Sequence, residues 1–203
     1  MTPQRRHAPT PAFRVWLVGL TALLVLPALG GETLREALRY ERSAVLDEGE
    51  YWRLLTAHFV HGDLQHLLLN AAGLVVIALL LRGAYSARAW LTIGLLSMLA
   101  IGVGLVWRQP QLDWYVGFSG VLHGLLAAGA IAWWRQESTA SALALSAIVA
   151  GKLLWEQWRG ALPLGGALPV VVDAHLYGAI GGVSAALALL VVHKRWPFRW
   201  PSL

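Results

Sequence analysis

Long apolar segments alternate with short polar ones along the chain, and this pattern predicts a helical membrane protein. A helix needs about 20 residues to cross the hydrocarbon core. We therefore predict an all-α membrane protein with a six-helix bundle in one domain, 15–193, between a polar tail, 1–14, and a basic tail, 194–203. The predicted spans are 15–29, 64–81, 89–107, 119–134, 140–154 and 174–192.

Composition agrees with a chain that lies mostly in lipid. Of the 203 residues, 57% are hydrophobic and 13% are charged, whereas soluble domains are about one-quarter charged. The net charge of +5 is typical of positive-inside anchoring, so we expect the lipid bilayer rather than nucleic acid as the partner. The absence of cysteine excludes disulfides, iron–sulfur clusters and a cysteine nucleophile.

Two segments near the N-terminus each leave an alternative open. The basic start of 15–29 and its Ala28-Leu29-Gly30 ending also resemble a secretory signal with a small-residue cleavage site. We favour an uncleaved span, because further apolar segments follow. The polar stretch 31–57 fits either a short amphipathic helix at the membrane surface or a solvated external loop.

The distribution of basic residues predicts the orientation of the spans. Basic residues concentrate in the two tails and in the loops that hold Arg82, Arg88 and Arg135, whereas acidic residues concentrate in 31–57. Because cytoplasmic loops carry the excess of Lys and Arg, both termini are predicted to be cytoplasmic. Tryptophans agree, with Trp16, Trp90, Trp133, Trp134 and Trp196 at inner ends and Trp52, Trp107, Trp114, Trp155 and Trp158 at outer ends.

This orientation brings polar side chains of three spans to one depth. The second, fourth and sixth spans run from outside to inside, so their first turns lie together below the outer surface. The odd-numbered spans carry little that could react. Polar side chains are costly in hydrocarbon, so a layer of them indicates chemistry. The layer comprises His61, His66, Asn70, Ser119, His123, Asp173 and His175.

Ser119 is the candidate nucleophile of this layer. A serine reacts only when a base takes its proton. His123 lies one turn further along the same helix, whereas His175 begins a different helix and can face Ser119 across a gap. We therefore favour His175 as the base and predict a Ser–His dyad. Asp173 lies on the wrong side of its helix to contact His175 easily.

Three groups are candidates for stabilising the oxyanion that develops during acyl transfer. The amide of Ser119 lies at a helix N-terminus, where backbone donors and the helix dipole favour an anion. His66 and Asn70 are four residues apart, so both side chains project from one helix face. Hydrogen bonding between helices is the alternative role for these two side chains.

Small residues predict that the fourth and sixth spans pack closely. Gly120, Gly124 and Ala128 recur at four-residue steps on one span, and Gly178 and Gly182 do so on the other. Such spacing lets two helix backbones approach each other. Close packing would bring the serine to the histidine of the sixth span.

Together these motifs resemble those of the rhomboid intramembrane serine proteases. The stretch 117–120, Gly-Phe-Ser-Gly, matches their Gly-x-Ser-Gly motif, and the resemblance extends from about 51 to 182. It implies a rhomboid-like six-helix bundle and an intramembrane endopeptidase that needs no cofactor. The other matching motifs are His61-x4-His66-x3-Asn70, Ala174-His175-x2-Gly178 and the loop pair Trp52-Arg53.

The resemblance also implies a role for each motif residue. Ser119 is the nucleophile and His175 is the base. The oxyanion hole consists of His66, Asn70 and the Ser119 amide, with His61 and His123 around it. The motif glycines are Gly117, Gly120 and Gly178.

His123 is a departure from the pattern of many rhomboids, which have tyrosine four residues after the serine. The run Ser-Gly-Val-Leu-His-Gly, 119–124, and the short chain are similar to the rhombosortase branch. This resemblance implies a bacterial inner-membrane enzyme with its site facing the periplasm. It implies substrates that are membrane-anchored exported proteins with a C-terminal Gly-Gly motif, an apolar transmembrane helix and a basic tail.

Three other functions are less consistent with the sequence. A histidine-rich metal site lacks His-Glu-x-x-His, and the five-residue step from His61 to His66 splays the rings, so no metal is expected. A non-catalytic rhomboid-like protein that binds membrane clients would not need both Ser119 and His175. A transporter would have inverted repeats and midplane charges, which are not evident.

Overall fold

The computed structural model describes residues 11–161 and 169–195, and it is helical apart from one pair of very short strands in those ranges. Two 3₁₀ turns, Leu26–Gly30 and Ala57–Phe59, join helices. The other elements are α1 Pro11–Val25, α2 Gly31–Leu38, β1 Tyr40–Glu41, α3 Arg42–Leu46, α4 Arg53–Thr56, α5 Leu64–Leu80, α6 Ala87–Arg108, β2 Trp114–Tyr115, α7 Ser119–Gln136, α8 Thr139–Arg159 and α9 Val172–Arg195.

Six of these helices, α1 and α5 to α9, carry the six predicted spans, and the prediction of an all-α membrane bundle is confirmed. Within the described ranges, four segments are long and apolar enough to cross a membrane. There is a fifth such segment if Arg53–Phe59 and α5 are counted as one span, although the two are bent by 91° relative to each other. The four segments are Leu17–Leu38, Ala87–Arg108, Thr139–Arg159 and Val172–Val192.

The helix α7 is not among those segments, because its polar residues lower its mean hydropathy. It packs against α5, α6, α8 and α9. Ten of its 18 residues are buried, mostly Gly, Ala, Val and Leu. A helix that is surrounded by protein can carry polar groups that lipid would not tolerate. The polar side chains of Ser119 and His123 are therefore tolerated at the centre of the bundle.

The observed boundaries differ most from the predicted ones at three places. The helix α8 continues to Arg159 and not to 154, so the loop predicted at 155–172 is shorter. The first candidate span continues through the 3₁₀ turn into α2, which gives 31–57 a helical start. The helix α1 begins at Pro11, inside the tail predicted at 1–14.

The predicted tails lie largely outside the described residues. This applies to 1–10 and 196–203, and with them to Arg5, Arg6, Trp196 and Arg199. The side chains of Trp16, Lys194 and Arg195 also lie outside the described set. The orientation based on these residues stays a prediction.

The backbones of α7 and α9 touch where both helices carry glycine. A Cβ atom added to Gly178 would overlap the carbonyl oxygen of Gly120, and one added to Gly182 would overlap that of Gly124. A Cβ on Gly124 would lie 2.6 Å from the carbonyl oxygen of Gly178. The predicted close approach of the two spans is thus confirmed.

The short strands connect the segment after α2 to the loop before α7. Tyr40 pairs with Tyr115 and Glu41 with Trp114 in an antiparallel register. The amide of Arg42 continues this ladder to the carbonyl of Asp113 at 2.8 Å. The loop that leads into Ser119 is therefore held from the side by the segment that follows α2.

Arg53, of the Trp52-Arg53 pair, holds the same segment together. Its guanidinium donates to the carbonyls of Glu36 at 2.6 Å and Arg39 at 2.9 Å, and it forms an ion pair with Glu50. Arginine has five donors in a fixed geometry, so it can donate hydrogen bonds to several acceptors at once.

We expect Gly178→Ala to destabilise the protein by about 1–3 kcal/mol, the range for an overpacked core position. The added methyl group must push the α7 backbone away, because the atom it meets is a carbonyl oxygen. Thermal unfolding in detergent measures the change. Gly94→Ala on α6 is the matched control, since no atom lies within 4 Å of that Cβ. Equal stability of the two variants would contradict the contact.

Candidate active site

Ser119 and His175 are in hydrogen-bond contact. Ser119 is the first residue of α7, and His175 lies in the first turn of α9. The serine Oγ is 2.9 Å from Nε2 of His175, which is buried. Gly120 permits this contact, because a Cβ atom there would lie 2.7 Å from the carbonyl oxygen of Ala174.

His123 stacks on the ring of His175 and bonds to the backbone of Ser119. The two imidazole rings are 4.1 Å apart between centroids, with an angle of 16° between their planes. The Nδ1 atom of His123 lies 2.7 Å from the carbonyl oxygen of Ser119, to which it can donate a hydrogen bond. With Nδ1 used in this way, His123 positions the ring that faces the serine.

The turn before Ser119 depends on Gly117. Its φ of +116° is in the region that residues with a Cβ atom rarely adopt. A side chain here would also meet the His66 ring, with Cε1 only 2.5 Å from the added Cβ. Gly117 also donates its N–H to the carbonyl of Ala57 at 2.9 Å. The motif glycine thus fixes the turn and leaves room for the ring of His66.

The carbonyl of Gly117 is held by two residues that sequence reasoning missed. The Tyr115 hydroxyl donates to it at 2.9 Å, and Nδ1 of His58 lies 3.4 Å away. Burial raises the pKa of Tyr115, so its hydroxyl stays a donor. Because a trans peptide points its C=O and N–H in opposite directions, this clamp also sets the direction of the Phe118 N–H.

Asn70 and His66 both line the cavity next to Ser119, as their spacing on α5 predicts. The Asn70 side chain is 2% exposed, and its Nδ2 has no hydrogen-bond partner among the described residues. An unpaired buried amide costs about 1–3 kcal/mol. The structure therefore keeps a buried amide donor next to the serine without a hydrogen-bond partner among the described residues.

His61 does not reach this cavity. Its ring packs edge-on against His66, with 5.1 Å between centroids. It lines a second cavity of about 330 Å³ between the start of α5 and the segment around α2. His61 therefore backs His66 and does not face Ser119.

The expectation that odd-numbered spans carry little that could react was wrong. Glu156 of α8 accepts a hydrogen bond from Nδ1 of His175 at 2.9 Å. Its other oxygen accepts one from Lys152 at 2.5 Å. The predicted span ended at 154, which left Glu156 in a loop. A Lys and a Glu four residues apart in an apolar segment were the signal that could have found them.

Asp173 is directed elsewhere, as predicted. Its Oδ2 accepts a hydrogen bond from Nε2 of Gln109 at 2.7 Å. The Gln109 amide also reaches the hydroxyl of Tyr177 at 3.3 Å. The carboxylate closest to His175 in the sequence is therefore not the one that contacts its ring.

A cavity of about 520 Å³ opens over the serine. Four of the long helices and two loops form its walls, so it can admit a peptide segment and water. The lining residues are His66, Leu69, Asn70, Gln111, Leu112, Asp113, Trp114, Tyr115, Val116, Ser119, Leu122, His123, Lys152, Glu156, Ala161, Pro169, Val170, Val171 and His175.

The groups around His175 also have the composition of a metal site. Within the described ranges, His123, Glu156 and His175 offer ligand atoms that lie within 4.8 Å of one another. However, the ammonium of Lys152 already contacts Glu156, and a second cation there would be repelled. That no metal binds stays a prediction, and the metal content of the purified protein tests it.

The fold and this geometry define a multi-pass helical membrane protein with a serine and a histidine in contact inside a water-accessible cavity. The Rhomboid domain family model matches residues 48–192, which is most of the chain. The chain therefore belongs to the rhomboid family, whose members are in general intramembrane serine proteases acting on membrane proteins within the bilayer. No curated protein matches the chain.

We expect Asn70→Leu to separate reactivity from stability. Loss of an oxyanion donor lowers the rate of acyl transfer by about 10–1,000-fold. Replacing an unpaired buried amide with an apolar side chain of similar shape leaves the melting temperature unchanged or raises it. Peptide turnover and thermal unfolding measure the two effects. Gln65→Leu, an exposed amide on the same helix, is the control and should change neither.

A clear loss of stability in Asn70→Leu would contradict this prediction, because it would mean that the amide has a structural partner.

Proposed function

We propose that the protein is an intramembrane serine endopeptidase in which Ser119 is the nucleophile and His175 the general base. The observation that carries the proposal is the 2.9 Å contact between Oγ and Nε2. This distance is within the range that general-base catalysis requires. Membership of the rhomboid family supports the same assignment.

The reaction uses the two residues in turn. Ser119 gives its proton to Nε2 of His175 as Oγ bonds to the scissile carbonyl carbon, and the carbonyl electron pair moves to oxygen. The intermediate then collapses, the C–N bond breaks, and His175 gives the proton to the leaving nitrogen. Water, or another nucleophile, loses a proton to His175 as it attacks the acyl carbon. Ser119 leaves the carbon and recovers that proton.

The oxyanion is stabilised by groups around the start of α7. The amide of Ser119 is among the first N–H groups of the helix, which have no partner within it. The unpaired Nδ2 of Asn70 and the ring of His66 complete the set of donors. Donors fixed before reaction require little reorganisation when the charge develops.

The substrates in this proposal are exported proteins with a C-terminal Gly-Gly motif and a transmembrane tail, as in the rhombosortase branch. The run 119–124 with His123 supports the branch, and the stacking of His123 on His175 gives that residue a place in the site. Glycines next to the scissile bond suit a serine at the base of a cavity, because an extended chain without side chains can enter it.

The location in the proposal is the bacterial inner membrane, with both termini cytoplasmic and the cavity facing the periplasm. The charges of the described loops support this orientation. Arg82, Arg88 and Arg135 flank the ends of α5, α6 and α7 that lie far from Ser119, whereas the Glu-rich segment with α2 lies at the Ser119 end.

We expect a fluorophosphonate probe to label the wild-type protein at Ser119. Ser119→Ala and His175→Ala should abolish labelling, and each should lower peptide cleavage by about 10,000-fold or more, because one removes the nucleophile and the other its base. Gel fluorescence and mass spectrometry locate the label, and thermal unfolding checks that the variants fold. Ser97→Ala, a buried serine whose hydroxyl bonds to Ile93, is the control. Labelling that survives Ser119→Ala would overturn the assignment.

The substrate proposal makes a separate prediction. An exported protein with the Gly-Gly tail, co-expressed with the wild-type chain, should lose its transmembrane segment, and mass spectrometry should find the new C-terminus at or next to the glycines. Co-expression with Ser119→Ala should leave the tail intact. A second substrate with the Gly-Gly pair changed to Leu-Leu tests the motif. Equal cleavage of both tails would contradict the rhombosortase assignment and leave the protease assignment standing.

A further inference from the structure

Glu156 is a buried carboxylate with both oxygens occupied. Its side chain is 2% exposed, Oε2 lies 2.9 Å from Nδ1 of His175, and Oε1 lies 2.5 Å from Nζ of Lys152. A charge in such a place is costly unless a partner compensates it. Lys152, Glu156 and His175 therefore form a chain of contacts that ends at the Ser119 hydroxyl.

The two nitrogens of His175 are used in opposite directions. Nδ1 faces Glu156, and Nε2 faces Ser119. A carboxylate accepts hydrogen bonds and cannot donate them, so it keeps the ring proton on Nδ1. Nε2 is then left with a lone pair directed at the serine hydroxyl, which is the tautomer that a general base needs.

We propose that Glu156 is a positioning residue for His175, so that the reacting pair is part of a Ser119–His175–Glu156 triad that spans three helices. Glu156 holds the ring in one tautomer and orientation, and its charge stabilises the imidazolium that forms when Ser119 gives up its proton. Lys152 holds the second oxygen and fixes the carboxylate. This inference deepens the proposed protease function and rests on it.

The stacking of His123 shows which motions of His175 are left for Glu156 to restrict. The stack fixes the plane of the His175 ring from one face, but it does not prevent the ring from flipping within that plane or from changing tautomer. A hydrogen bond at Nδ1 prevents both the ring flip and the change of tautomer. His123 and Glu156 therefore restrict different motions of the same side chain.

The test compares the rate at which the fluorophosphonate probe inactivates Ser119 in purified variants. We measure the maximal inactivation rate and the probe concentration at half-maximal rate separately. Glu156→Gln keeps the shape and removes the charge, whereas Glu156→Asp keeps the charge on a side chain one methylene shorter. The matched control is Asp173→Asn, which removes a carboxylate two residues from His175 that bonds only to Gln109 among the contacts described above.

For a positioning role, Glu156→Gln lowers the maximal rate by about 100–10,000-fold, as loss of the third member of a triad does. The half-saturating probe concentration changes little, because the probe does not touch position 156. Glu156→Asp retains at least about ten-fold more activity than Glu156→Gln, since the charge is preserved. Asp173→Asn stays within about three-fold of the wild type.

The opposite order would overturn the inference. If Glu156 only fills space, the isosteric Glu156→Gln is at least as active as Glu156→Asp. If Glu156→Gln reacts at the wild-type rate, the triad is rejected and the dyad of Ser119 and His175 remains. If the wild type itself is not labelled at Ser119, the protease function fails, and the inference is rejected with it. Thermal unfolding of each variant separates misfolding from loss of reactivity.

Discussion

A side chain at position 178 would stand where the carbonyl oxygen of Gly120 lies, and this steric constraint governs the site. In lipid, helices have no hydrophobic force that drives them together, so close packing of backbones provides much of the attraction. Glycine on both partners permits that packing over two successive turns of α7 and α9. Ser119 and His175 lie at the end of the same seam, and their contact depends on the separation of the two helix axes.

The second constraint is the cost of polar groups in the bundle. Most polar side chains next to the Ser119–His175 pair have a named partner. His175 lies between a hydroxyl and a carboxylate, Glu156 between an imidazole and an ammonium, and His123 bonds to a backbone carbonyl. Asn70 is the exception, with a buried donor that has no partner among the described residues. Satisfied groups hold the site rigid, and the unsatisfied one is the donor that we propose for the oxyanion.

Much of this arrangement could be predicted from the sequence, because it follows from periodicity. Four-residue steps put His66 beside Asn70 and aligned the glycines of the two helices, and the alternation of spans placed Ser119 and His175 at one depth. Glu156 was missed because helix ends are hard to locate. The loop was predicted from 155 onwards, whereas α8 continues to Arg159 and carries Glu156 to Lys152 and His175. Tyr115 and His58 were missed because they act on a backbone carbonyl, which no side-chain pattern reveals.

The pairing of β1 with β2 has a consequence for how the protein can be controlled. The segment that includes Tyr40 and Arg42 is bonded through its main chain to the loop that precedes the nucleophile, and the Arg42 guanidinium reaches the carbonyl of Val106 at 3.0 Å. A displacement of residues 40–42 would be passed through these main-chain hydrogen bonds to the loop that precedes Ser119. A ligand that displaces this segment is therefore expected to change the turn that carries Gly117.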